Sequence, residues 1–349
     1  MDLRPTPISV GVLYDFPQGD DGAGFERALR LGLAVTDARR TRPIELTAVH
    51  GRGLPIGSEH EMKEAFAELE AKGVVAIIGP SISDNALIVA PLCDEARVPA
   101  INYSGGERTR SDWMMHYQVG SLEEEPPFLA ARVAERGFVR CAVLFDESPV
   151  GRRYAECFDA ARARFGLRTT ATAGISPLAE TVEPEVARLR DSEPDVLVYF
   201  GLGLSSRAVC LARESLGWDG PVIANSSLMF GYARPDWRDG YAGWEYVDTI
   251  ADDNPARVAL AKEDAASAAG PVGCAAYDMG RLLGEGLVRA QHLTREGVRE
   301  GMRAVKWLEA TSGEAGTLMG FGNQDHGALK GHFLVLREWK NGKTVQVQR

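Results

Sequence analysis

KGVVAIIGPSISDNALIVAPLCDEARVPAINYSGGE, residues 72–107, is the stretch from which the rest of the chain is read. Residues 74–78 are a short apolar run rich in β-branched side chains that stops at Gly79-Pro80, the pattern of a strand buried on both faces of a parallel sheet. Ser81 to Ser83 then bring hydroxyls and backbone N–H groups to the start of a helix, with Ser83 as the expected N-cap before Asp84. The helix runs to residue 96, and residues 98–103 make the next strand, which opens into Ser104-Gly105-Gly106-Glu107. Two successive strands therefore end at one sheet edge in small polar loops. In open α/β sheets that edge is where ligands sit.

Outward from this stretch, strand and helix patterns alternate. Residues 8–14 and 44–49 read as strands and 23–38 and 59–71 as helices; the acidic loop 15–21 contains Phe16, a candidate ligand contact. Residues 117–121 read as a short extended segment, and Glu123 to Pro127 open a helix whose acids and prolines suit its first turn. A second series begins at residue 140, with strands over 141–145, 169–174, 196–201, 221–224 and 243–249. The strand at 141–145 ends in Asp146, the strand at 196–201 ends in Gly201-Leu202-Gly203, and Ser205 is the expected cap of the helix that follows. Three helical patterns occupy 254–268, 273–291 and 294–305, the last capped by Thr294. A turn-rich segment at 320–331 precedes a hairpin around Asn341-Gly342. The prediction is an α/β fold of two Rossmann-like lobes with parallel-rich sheets, facing each other across a ligand cleft.

Composition limits the function. The 349 residues suffice for two ordinary domains, and 45% hydrophobic with 25% charged residues is the make-up of a soluble globular protein. A formal charge of −10 argues against nucleic acid or an anionic membrane as the main partner. No apolar run approaches the roughly 20 residues of a membrane span, and no signal-peptide pattern opens the chain. The expected location is cytoplasmic if Met1 is the native start, and periplasmic or lipid-anchored if a leader has been removed.

Enzyme motifs are missing. There is no GxxxxGK[ST] or GxSxG, Gly201-Leu202-Gly203 lacks the third glycine of a dinucleotide fingerprint, and the six histidines are scattered. Cys93, Cys141, Cys157, Cys210 and Cys274 form no CxxC pair and read as buried free thiols, so no metal, cofactor or catalysis is expected.

The order of VVAIIGP, VPAINYS, FDES, VLVYFGLG, AAYDMGRLLGEGLVRA and the closing hairpin resembles the type I periplasmic binding proteins, in particular the leucine/isoleucine/valine-binding branch. The resemblance spans nearly the whole chain. It implies two lobes joined by three crossovers, placed here near Val119, Val247 and Phe321, with lobe 1 at 1–120 plus 249–321 and lobe 2 at 121–248 plus 322–349. It implies a receptor that hands a small polar or amphipathic solute, such as an amino acid, amide or aromatic acid, to the permease of an ABC transporter. The alternative on the same fold resembles the amide-sensing regulator of amidase operons, with a regulatory protein as partner. Homodimerisation is left open.

By the same resemblance, Ser83, Gly105 and Gly106 bind the solute from one lobe, with Tyr199 and Phe200 as aromatic candidates from the other; Ser81, Tyr103, Ser104, Asp146, Gly201 and Ser226 are further candidates from their place at the strand ends. Two departures stand out: Glu107 replaces a threonine, and Asn225-Ser226-Ser227 replace the carboxylate that receives an ammonium. A buried ammonium without a charge partner costs several kcal/mol, so a free amino acid requires Glu107 or Asp146 to take over that part. Trp113, Met114 and Met115 read as an apolar wall or a core cluster.

Overall fold

The computed structural model describes residues 6–15 and 22–348. The chain divides into two compact units, Met1–Val119 with Ile250–Phe333 and Gly120–Thr249 with Leu334–Arg349.

In unit 1, β1 (Ile8–Tyr14), α1 (Gly22–Ala34), β2 (Ile44–His50), α2 (Glu59–Ala71), β3 (Ala76–Ile78), α3 (Ser83–Ala96), β4 (Ala100–Asn102) and β5 (Met114–His116) follow in sequence. The strands form an all-parallel sheet in the order β2-β1-β3-β4-β5. The fifth strand lies at Met114–His116, upstream of the extended segment expected at 117–121; Met114 and Met115 are fully buried strand residues. Leu13, Ile77, Ala100 and Met114 pack with Phe66, Leu69 and Val89 into one core, as continuous apolar strands require.

Unit 2 runs through α4 (Glu125–Glu135), β6 (Arg140–Asp146), α5 (Pro149–Arg162), β7 (Arg168–Ile175), α6 (Glu183–Asp191), β8 (Val196–Phe200), α7 (Ser206–Ser215), β9 (Val222–Ala224), α8 (Phe230–Ala233) and β10 (Glu245–Asp248). The chain then returns to unit 1 with α9 (Pro255–Glu263), α10 (Pro271–Arg289), α11 (Arg295–Arg303), β11 (Leu308–Glu309), β12 (Leu318–Met319) and β13 (Leu329–Lys330), and ends in unit 2 with β14 (Val335–Lys340) and β15 (Lys343–Gln346). The second sheet has the order β15-β14-β10-β9-β8-β6-β7, parallel from β7 to β10 and antiparallel through the final hairpin. Asn341 and Gly342 both take positive φ, 50° and 69°, as a tight two-residue turn demands.

The third passage comes at Phe333/Leu334, not at Phe321. The segment read as turn-rich contributes β13, which pairs with β12 in the small antiparallel sheet β11-β12-β13 and keeps the segment in unit 1. α10 packs on α1 through glycines: a Cβ on Gly32 would lie 2.0 Å from the Tyr277 carbonyl oxygen and one on Gly280 2.4 Å from that of Leu29. Only glycine permits that backbone approach.

Candidate functional site

Strand order reverses between β1 and β3 in the first sheet and between β6 and β8 in the second. Helices leave such neighbouring strands on opposite faces, so the carboxyl ends of the strands open a crevice there. Both crevices are built around an aspartate.

In unit 1, Asp15 directly follows β1 and reaches across to the loop after β3. Its Oδ1 accepts from Ser81 N (2.8 Å) and Ser81 Oγ (2.6 Å), and its Oδ2 from Ile82 N and Asn85 Nδ2 (both 2.9 Å). Burial raises the Asp15 pKa, and these donors act against the rise. A carboxylate from another loop thus caps α3, so Ser83 is not its N-cap. Ile82 holds that position without a side-chain bond, and Ser83 is the first helical residue. The Ser83 hydroxyl is thereby left without a hydrogen bond among the described residues, although the residue is only 5% exposed. A Cβ on Gly106 would lie 3.3 Å from it, so the two loops meet at this hydroxyl. The backbone N–H groups of Gly105 and Gly106 carry no bond among the described residues either. Three neighbouring donors with no acceptor among the described residues suit an incoming oxygen of a carboxylate or amide.

The other candidates of this rim are engaged. Tyr103 stacks on Phe25, ring centres 4.9 Å apart, with its hydroxyl beside Ser81 and Asp15; burial drives its pKa well above the usual value. Ser104 donates its hydroxyl to Asn102 Oδ1 (2.9 Å), and its carbonyl accepts from Val119 N (3.0 Å) and lies 2.6 Å from His116 Nε2. His116 is held neutral, its pKa lowered to about 3 by burial and by Arg110. Gly106 has φ −97°, and neither it nor Gly105 takes a positive φ, so a left-handed turn does not explain them. Glu107 opens a 3-10 turn, partly exposed, 3.7 Å from Arg110. Phe16 lies outside the described residues.

In unit 2, Asp146 ends β6, fully buried, and accepts from Leu202 N (2.7 Å) and Ser205 Oγ (2.5 Å). Burial pushes its pKa to about 6. The Ser205 hydroxyl is therefore spent on Asp146 and makes no cap of its own. A Cβ on Gly201 would lie 2.2 Å from Asp146 Oδ2, which reserves that position for glycine. Tyr199 and Phe200 are both fully buried, on opposite faces of β8. Tyr199 bonds Ser205 Oγ (2.8 Å), and Phe200 stacks on Tyr154 at 5.6 Å.

Ser226 belongs to a network absent from the sequence reading. Glu125, fully buried at the start of α4, accepts from Ser121 N (2.6 Å), Tyr154 Oη (2.9 Å), Ser226 Oγ (2.9 Å) and Ser226 N (2.7 Å). Burial raises its pKa to about 7 against those donors. So a carboxylate does stand beside Asn225-Ser226-Ser227, supplied by another element and occupied by the protein's own donors. Asn225 itself pairs with the Gly201 backbone in both directions. Asp15 and Glu125 were visible in sequence only as a loop acid and a first-turn acid. Among the described residues no group of three or more His, Cys, Asp or Glu could hold a metal ion.

These rims can be set beside known proteins. A search of curated protein sequences finds no match. The family profile described as "Periplasmic binding protein" matches residues 7–343. The chain belongs to the periplasmic binding protein family. Solved structures similar to this periplasmic binding protein include a type 1 periplasmic binding protein from Bordetella pertussis Tohama I, with TM-score 0.83, 17% identity, and coverage of 98% of this chain and 100% of that one. The leucine binding protein LivK from Thermotoga maritima MSB8 aligns with TM-score 0.82 at 17% identity over 98% of both chains. LivJ of Streptococcus pneumoniae, a branched-chain amino acid transporter substrate binding protein in complex with isoleucine, gives 0.81 at 14% identity over 98% of this chain and 100% of that one. At such identities the likeness establishes the fold.

Proposed function

We propose that this periplasmic binding protein captures a small carboxylate or amide for an ABC transporter permease. The unit 1 rim anchors the solute: Ser83 Oγ and the N–H groups of Gly105 and Gly106 bind an oxygen of the guest. The observation that carries this reading is the hydroxyl of Ser83, 5% exposed and without a hydrogen bond among the described residues, at the strand-order reversal where such sheets take ligands. Family membership and the transport proteins among the structural neighbours support the role.

A second reading, a ligand sensor on the same fold with a regulatory protein as partner, draws support from Cys93, Cys141 and Cys210, which are free thiols as in proteins kept in reducing surroundings. A thermal-shift panel of leucine, isoleucine, aliphatic amides and aromatic acids tests the binding site itself. At least one compound is expected to raise the melting temperature, with Ser83→Ala removing most of the rise; a panel that shifts nothing, or shifts both proteins equally, overturns the assignment. Genes for a permease and ATPase beside this one would support transport, and an antiterminator gene would support sensing.

A further inference from the structure

Trp307 is the most exposed large apolar side chain among the described residues, at 71%. Its backbone is left-handed, φ 58°, a conformation a bulky aromatic adopts only at a cost. The segment is pinned on both sides. Val305 N bonds the Met302 carbonyl (2.9 Å) after α11, and Leu308 pairs with Met319 in the β11-β12 ladder. Neither burial nor folding geometry accounts for a tryptophan here, and glycine would fit the backbone better.

Beside Trp307 is a depression of about 200 Å³ whose floor includes the buried Met319 and Phe321 and whose edge carries Lys306, Lys330 and Asp325. The Lys306 ammonium donates to the carbonyls of Arg303 and Phe321, and that of Lys330 to Asp325 and the Gly327 carbonyl. Each ammonium has a third hydrogen to give. Burial lowers the Lys306 pKa, and the like charges of Lys330 and Arg303 add to that. On a chain of net charge −10, this is a small basic concavity beside an exposed indole. Its volume is below the roughly 300–1,000 Å³ of sites that enclose a small molecule, and it suits a single side chain.

We propose that Trp307, Lys306 and Lys330 form a docking surface for an acidic segment of a partner protein, which seats a carboxylate on the two ammoniums and an apolar or aromatic side chain against the indole. Charge complementarity selects the occupant, and the indole supplies the anchor in the way tryptophan does at interface centres. This surface belongs to unit 1 alone and is independent of the solute reading.

The test is selection of displayed linear peptides on the full-length chain, followed by titration of the synthetic winners against variants. Winners are expected to combine Asp or Glu with Trp, Phe or Leu and to lose about thirtyfold or more in affinity on Trp307→Gly. That variant relieves the left-handed strain, so its melting temperature should hold or rise, which separates lost docking from lost folding. The double variant Lys306→Glu/Lys330→Glu should reject the acidic peptides and accept their lysine-substituted counterparts. Winners without acids, or bound equally by Trp307→Gly, would overturn the proposal, as would a selection that yields none. Concentration-dependent dimerisation abolished by Trp307→Gly would make a second copy the occupant and overturn it equally.

Discussion

The reversal points of the two sheets are built alike and left in different states. Each has an aspartate at the end of a strand, Asp15 after β1 and Asp146 at the end of β6, whose carboxylate ties down the loop after the neighbouring strand. In unit 2 the tie uses the loop's own hydroxyl, that of Ser205, and the adjacent Ser226 is spent on Glu125. In unit 1 Asp15 consumes Ser81 and Asn85 and stops short of Ser83. The same device thus closes one rim chemically and leaves donors waiting on the other. Polar recognition is thus expected at the rim whose donors keep no acceptor among the described residues.

Stability measurements can break this comparison. Asp15→Ala leaves two backbone N–H groups, a hydroxyl and an amide without their acceptor, and should lower the unfolding free energy by about 3 kcal/mol or more, read by urea denaturation. Asp146→Ala removes the acceptor of only Leu202 N and Ser205 Oγ, the latter still bonded to Tyr199, and should lose about 2 kcal/mol. The reverse order would show that unit 2 leans on its aspartate more heavily than the bonds indicate.

Acid sharpens the contrast. Glu125 has its pKa raised from 4.5 to about 7, so the folded state holds a proton that the unfolded chain has released between those values. Its contribution to stability is full below pH 4.5 and is lost as the pH climbs through about 7, a change on the order of 3 kcal/mol. Asp146 adds a smaller loss of the same sign between 3.8 and about 6. Glu125→Gln should remove the Glu125 share of this slope, most visibly between about pH 6 and 7 where Asp146 no longer contributes, and keep the Asp146 share below about 6. An unchanged slope in the variant would mean that Glu125 does not titrate as its surroundings dictate.

The alternation of buried strands and helices was readable because parallel sheets demand continuous apolar runs, and those at 74–78 and 196–201 are unmistakable. The chemistry of the rims was less so. Asp15 and Ser81 are separated by 66 positions, and Glu125 and Ser226 by 101, so no local pattern says which hydroxyl a carboxylate will claim. Ser83 looked like a helix cap because serine at a helix start usually is one; a distant carboxylate displaced it from that work. Tyr199 and Phe200 show the converse. Their alternation along β8 was plain in sequence, yet both faces of that strand are covered, so neither position reaches the surface.

Ser83→Ala should weaken the best solute by about tenfold while leaving the melting temperature of the empty protein within error, because the hydroxyl makes no hydrogen bond among the described residues. The smallest effect tests what else the guest carries. Asp146 and Glu125 are buried and already accept from the protein's own donors, whereas Glu107 is partly exposed beside Gly106 and 3.7 Å from Arg110, which makes it the rim acid to test against an ammonium. Arg110, 3.7 Å away, already screens it, so its pull on a cation is that of a half-solvated pair, about 0.5–1 kcal/mol. Titration calorimetry of Glu107→Gln should therefore show a few-fold loss for α-amino acids and none for the matching acids or amides without the amine. Equal losses for both would remove Glu107 from ammonium recognition and leave the guest a carboxylate or amide alone.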